Sequence, residues 1–264
     1  MNLLKSKKIV VVAVSLVFIT TTSIFTIYRI ARYVEVERIL NPDYVLDTII
    51  QTGPVREALP TVLLAELLDL SVDKPTNYFA FDEAKASRKL LNCPVITYAH
   101  VKKIKPNKVY IDYELRRPIA LYADFENMAI DVDRQIFPLM PYFSPKQLPE
   151  IVLGEHKFSH IVTGEKIDLA FSVFLTFCYA GLGEDSTILR IDVSKAYCPS
   201  YGKREIIVVV EHKQEKHYLR LTEKNLSTGI ANYVSLIQNL ESQKATRVID
   251  LRIEKLAYVE DIST

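Results

Sequence analysis

The sequence predicts an α+β protein with three parts: an N-terminal transmembrane helix, a small domain ordered strand–helix–helix–strand–strand, and a β-rich domain with packed helices. Three observations predict it. Ile9–Tyr28 (IVVVAVSLVFITTTSIFTIY) carries no charge. Around Pro106-Asn107 the apolar residues alternate with period two. Beyond Pro118 short apolar runs alternate with proline-rich breaks, interrupted by two long helical patterns.

The first run is long enough, at about 1.5 Å per residue, to cross about 30 Å of hydrocarbon. Lys5, Lys7 and Lys8 precede it and favour a cytoplasmic tail over residues 1–8. The span over 9–28 then implies a single-pass, type II inner-membrane protein with its bulk in the periplasm. A cleaved signal peptide is the rival reading, with Thr21-Thr22-Ser23 as its cleavage site, but the apolar run continues through Ile24, Phe25 and Ile27. Residues 29–44 read as a mixed-charge connector.

Val45–Gln51 reads as a strand, stopped by Thr52-Gly53-Pro54. A helix follows over Pro60–Leu70, with Leu63, Leu67 and Leu70 as its apolar stripe and Pro60 in the first turn. Asp82 opens a second helix, which Pro94 ends. In the next strand Val95, Thr97, Ala99 and Val101 share one face, and Ile96, Tyr98 and His100 the other. After the Pro106-Asn107 turn, Val109, Ile111 and Tyr113 alternate with Tyr110, Asp112 and Glu114. These elements delimit a domain over 45–117.

The second domain is expected over 118–259, with a tail over 260–264. Its strands read as Ile119–Phe125, Met128–Val132, Ile136–Phe137, Ile151–Leu153, Leu189–Val193, Glu205–Glu211, His217–Leu221 and Arg247–Ile253. Ile167–Leu182 is an apolar helix too short to span a bilayer, with Gly181 and Gly183 at its end. Leu226, Ile230, Tyr233, Val234, Ile237 and Leu240 mark a last helix.

Composition narrows the function. Net charge is +1, so there is no basic footprint for nucleic acid, and 49% apolar residues support packed cores. No nucleophile elbow, phosphate loop, HExxH or paired CxxC occurs. His156 and His160 stand four apart beside Glu155, a zinc-gripping spacing only on a helix, and LGEHKFSHIVTG does not read as one. No metal, cofactor or catalytic residue is therefore expected. Cys93, Cys178 and Cys198 admit a Cys178–Cys198 bridge or three reduced thiols, with Cys178 read as a small core residue of its helix. The basic run Lys102, Lys103, Lys105, Lys108, Arg116 and Arg117 has two readings: a solvated hairpin end that discourages sheet aggregation, or a docking surface for anionic lipid or an acidic partner.

The segment Cys93–Leu121 (CPVITYAHVKKIKPNKVYIDYELRRPIAL) resembles the corresponding stretch of the FtsQ/DivIB cell-division family, in Pro94, Val95, Tyr98-Ala99, Val101, Lys103, Pro106, Ile111, Pro118, Ile119 and Ala120. The order of parts is also similar, ending in Asp250-Leu251-Arg252. Leu115-Arg116 stands where the family often has Glu-Arg, the Asp-x-x-Gly turn reads Asp131-Val132-Asp133-Arg134, and there is no tryptophan. The resemblance implies that 45–117 is a POTRA domain. It also implies a non-enzymatic scaffold of the division septum: its last strand receives an FtsB-like partner that comes with FtsL, POTRA docks other divisome proteins, and the whole couples to septal peptidoglycan synthesis. The partner site it implies is Arg252, Ile253, Glu254, Leu256, Tyr258 and Val259, on the exposed rim of that strand. Arg247 and Arg252 would pair with acids of the partner. Two rival classes are an envelope assembly factor bearing POTRA domains and an anchored envelope enzyme.

Overall fold

The computed structural model describes residues 2–182, 185–239 and 246–262, with side chains at residue 16 and, within those ranges, from residue 18 onward. The chain divides into two compact units, residues 1–115 and 116–264.

The first unit opens with helix α1, Asn2–Leu40. This corrects the expected anchor. Among the described residues no helix is long and apolar enough to cross a membrane. Lys5, Lys7, Lys8 and the first part of the expected span, Ile9–Ser15, lie outside the residues whose side chains are described. In the described part, Thr20, Thr21, Thr22, Ser23 and Thr26 dilute the apolar character, and the same helix runs on through Arg29, Arg32, Glu35, Glu37 and Arg38. Within the residues whose side chains are described, a window long enough to span must include these groups, which hydrocarbon excludes. The single-pass, inner-membrane and periplasmic placement rested on that span and falls with it. Residues 29–40 are helix rather than connector, and the end of α1 is tied down: Asn77 Nδ2 donates to the Arg38 carbonyl at 3.1 Å.

Strands β1 (Thr48–Thr52), β2 (Ile96–Ile104) and β3 (Lys108–Leu115) form a sheet in the order β1-β3-β2. Strand β1 runs parallel to β3, and β2 antiparallel to it. Between β1 and β2 lie α2 (Thr61–Leu67) and α3 (Glu83–Leu91), packed against β1 and β2 respectively. Asp82 caps α3 by accepting from Lys85 N at 3.0 Å. Val109, Ile111 and Tyr113 are buried, and the Tyr113 hydroxyl accepts from Leu59 N at 2.7 Å.

Two expectations here are corrected. The buried residues of α2 and its cap are Leu64 and Leu68, with Leu63 and Leu67 of the expected stripe half-buried; Asp69 turns into the left-handed region just past the helix, which leaves Leu70 outside it. In β2 a bulge at Thr97, between the pairs Ile96–Leu115 and Tyr98–Glu114, inserts one residue. Ile96 is therefore buried and Thr97 exposed, against simple alternation.

Among the described residues, the second unit holds one nine-stranded mixed sheet with two α-helices. Its strands are β4 (Ala120–Tyr122), β5 (Met128–Ile130), β6 (Ile136–Pro138), β7 (Glu150–Val152), β8 (Ser186–Asp192), β9 (Ile206–His212), β10 (Glu215–Leu221), β11 (Thr246–Asp250) and β12 (Tyr258–Ile262). Their spatial order is β12-β11-β10-β9-β8-β7-β4-β5-β6. The pairs β7–β8 and β10–β11 are parallel, so each needs a crossover. Helix α4 (Glu165–Ala180) makes the first and α5 (Leu226–Ile237) the second.

Ile167, Ala170, Val173 and Phe177 of α4, with Ile230, Tyr233 and Ile237 of α5, share one core with Val208, Val210, Leu219, Leu221 and Ile249. Gly181 stops α4 in the left-handed conformation that glycine adopts without strain. Gly183 and Leu240 lie outside the described residues. At the Asp131 turn, Arg134 takes the left-handed place (φ 62°), and the Asp131 carboxylate accepts from Asp133 N and Gln135 N. Cys178 is exposed on α4 rather than in its core, and all three cysteines are free thiols, so the Cys178–Cys198 bridge is absent.

Candidate partner-docking edge

The terminal segment builds the candidate site. The expected strand Arg247–Ile253 is cut short at Asp250. The Asp250 carboxylate accepts from Arg252 N at 3.1 Å and from Arg252 Nη2 at 2.6 Å, and Asn225 Nδ2 donates to the Arg252 carbonyl at 3.1 Å. These bonds pull the chain out of the ladder. Ile249 and Leu251 stay buried, whereas Ile253 is 65% exposed. A tight turn follows: Leu256 N donates to the Ile253 carbonyl, and Lys255 is left-handed (φ 61°).

The chain then returns as β12, antiparallel to β11, pairing Asp250 with Tyr258, Ile249 with Val259 and Thr246 with Ile262. Strand β11 is thus an interior strand, between β10 and β12, and not the free rim expected of it. The rim belongs to β12, which is exposed at all five residues. Tyr258, Val259 and Ile262 present large apolar side chains there.

The six expected partner-site residues therefore divide. Arg252, Ile253, Glu254 and Leu256 occupy the turn, while Tyr258 and Val259 begin the edge strand. Glu260, Asp261 and Ile262, read from sequence as tail, complete it. Their alternation (Tyr258, Glu260 and Ile262 against Val259 and Asp261) is a strand signal, but it is only one residue pair long on its apolar side.

The two arginines expected to face a partner are used internally. Arg247 is buried; its Nε donates to Asp261 Oδ1 at 2.9 Å and its Nη1 to Glu215 Oε2 at 3.2 Å. Arg252 pairs with Asp250, and Arg220 Nη1 stands 3.4 Å from the same carboxylate. Burial alone would raise the Asp250 carboxyl, but the hydrogen bonds and charge of Arg252, with the charge of Arg220, hold it below its ordinary value. Sequence reasoning missed the buried partners Glu215 and His217, since alternation alone marks β10 without saying that its polar members face inward.

The members of the basic run differ in partners and exposure. Lys103 Nζ donates to the Phe81 carbonyl and lies over the Tyr78 ring, and Arg116 pairs with Asp131 at 2.8 Å. Lys102, Lys105 and Arg117 are exposed, and Lys108 is half-buried. His156 and His160 lie in irregular chain. Among the described residues no three His, Cys, Asp or Glu side chains gather as a metal site.

No family model matches the chain, and no curated protein matches it.

Proposed function

We propose that this chain is a non-enzymatic adaptor that captures a partner by strand addition to β12. The observation that carries this reading is the edge itself: a five-residue strand, exposed throughout, at the rim of a nine-stranded sheet. An extended segment laid against it would gain main-chain hydrogen bonds for affinity, and alternate side chains for specificity. The turn beside it adds exposed Ile253 and Leu256, so the apolar contact extends past the strand. The resemblance to the FtsQ/DivIB family supplies the partner class: an FtsB-like chain accompanied by FtsL, within a cell-division assembly that drives septal peptidoglycan synthesis.

Pull-down with an FtsB-like segment tests this. Tyr258→Asp and Ile253→Asp should each abolish capture while circular dichroism stays unchanged, because both side chains are exposed and neither supports the core. Wild-type capture by both variants would rule out the edge as the docking site.

A further inference from the structure

The polar cluster beneath the edge strand has no part in the docking just described. His217, Glu215 and Arg247 are each at least nine-tenths buried. The His217 imidazole has Nδ1 2.9 Å from the Tyr233 hydroxyl of α5, and its Nε2 has no hydrogen-bond partner. A buried polar atom left without a partner is rare enough to need a reason. Around the ring stand Glu215 on its own strand (Oε2 3.5 Å from Nε2), Arg247 of β11 and His212 of β9. His212 Nδ1 is held 2.7 Å from the Ser186 hydroxyl of β8. Arg247 passes the chain of contacts on to Asp261 of β12.

We propose that His217 is a proton-operated latch on β12: when the imidazole gains a proton, Arg247 loosens from Glu215 and β12 opens away from β11. The proton comes from solvent and makes Nε2 a cationic donor. The acceptor it faces, Glu215 Oε2, already receives Arg247 Nη1 at 3.2 Å. Two cations then compete for one buried oxygen, where low dielectric makes like charges costly. Arg247 cannot shed its proton. Its Nε already donates to Asp261, whose side chain is 54% exposed, and it follows that carboxylate outward. Strand β12 ends the sheet and is exposed along its length, so it is easier to release than the interior strands.

The direction with pH follows. Burial is the main influence on His217 and lowers its proton affinity below the ordinary 6.5, against the opposing pull of Glu215. The closed form binds this proton less readily than the open form, so opening is favoured as pH falls below that value. Use of the latch by a partner rests on the docking reading; its physical operation does not.

Amide hydrogen exchange on the full chain without partner, at about pH 7.5 and about pH 5.5 and corrected for intrinsic rates, tests it. Protection of the β11 and β12 amides should fall severalfold, up to about tenfold, at the lower pH, with β2 and β3 unchanged. His217→Gln should remove that response. Equal protection at both pH values, or the same loss in His217→Gln, overturns the latch. If the variant does not fold, the imidazole of the wild-type protein is titrated by NMR. A midpoint for β12 opening that departs from that of His217 overturns the latch as well. Segment capture at the higher pH separates the two ideas: its failure removes the docking reading alone, and a flat exchange profile removes the latch alone.

Discussion

Strands β2 and β12 both end a sheet, and their outer rims are treated in opposite ways. Along β2 the helix beside it supplies acceptors: Val101 N donates to Ser87 Oγ at 3.0 Å, and Lys103 N to Glu83 Oε1 at 2.6 Å. Lys103 also folds back to the Phe81 carbonyl. Backbone donors that would invite another chain are already engaged. Along β12 the described contacts are the ladder to β11 and the Arg247–Asp261 bond, both on its inner side. The same backbone chemistry is closed in one unit and open in the other, and the difference lies in whether a helix carrying polar acceptors runs alongside. That contrast, more than any motif, is the reason for proposing β12 as the docking surface.

The largest expected effect concerns what lies under the open edge. Ile249→Ala, at a fully buried position of β11, should cost about 2–5 kcal/mol in urea unfolding. Ile253→Ala, just past the end of that strand, should stay within about 0.5 kcal/mol. Comparable losses at the two positions would mean that the turn is packed rather than presented.

The closed edge can be opened. Glu83→Ala leaves Lys103 N without its charged acceptor and should cost the first unit about 1.5–3 kcal/mol. Ser87→Ala should cost about 1 kcal/mol. The double variant exposes two backbone donors and should self-associate with rising concentration in light scattering. A strictly monomeric double variant would show that side-chain caps are not what closes β2.

Acid sharpens the contrast further. Asp250 and Glu205 are both held below their ordinary values: burial raises each, and Arg252 for Asp250, with Arg220 and Lys195 for Glu205, overcome it. A carboxyl lowered on folding stabilises fully above its ordinary value. That contribution starts to fade near 4.5 for Glu205 and 3.8 for Asp250, and is gone below the folded values. Unfolding midpoints followed down through that range should fall in the wild-type protein and less steeply in Asp250→Asn.

The smallest effect is expected at the exposed lysines of the hairpin. Lys102→Glu and Lys105→Glu should each change stability by less than about 0.5 kcal/mol, since both side chains are solvated. A larger loss would show that the basic run is structural rather than a solvated end.

Much of the local structure was legible in the chain. The inward set Val109, Ile111 and Tyr113 follows from period two, the start of α3 from Asp82, and the stop of α4 from Gly181. What misled was local pattern read too far. The charge-free run of α1 suggested a membrane span, but the part of the helix whose side chains are described carries five Ser and Thr residues and then charged residues without a break. In β2, alternation predicted Thr97 inward, and a single inserted residue reversed it. Arg252 looked available, yet its backbone and side chain are both held by Asp250 two residues earlier.

The order of residues by itself determined the inward alternation of Val109, Ile111 and Tyr113, the start of α3 at Asp82 and the stop of α4 at Gly181, because these depend on neighbours within a turn or a pleat. Only the tertiary structure decided that β11 is interior and β12 the rim, and that His217, Glu215 and Arg247 meet below it. Edge and interior are properties of strand order, which is settled by pairings between residues far apart in the chain. No local pattern carries them.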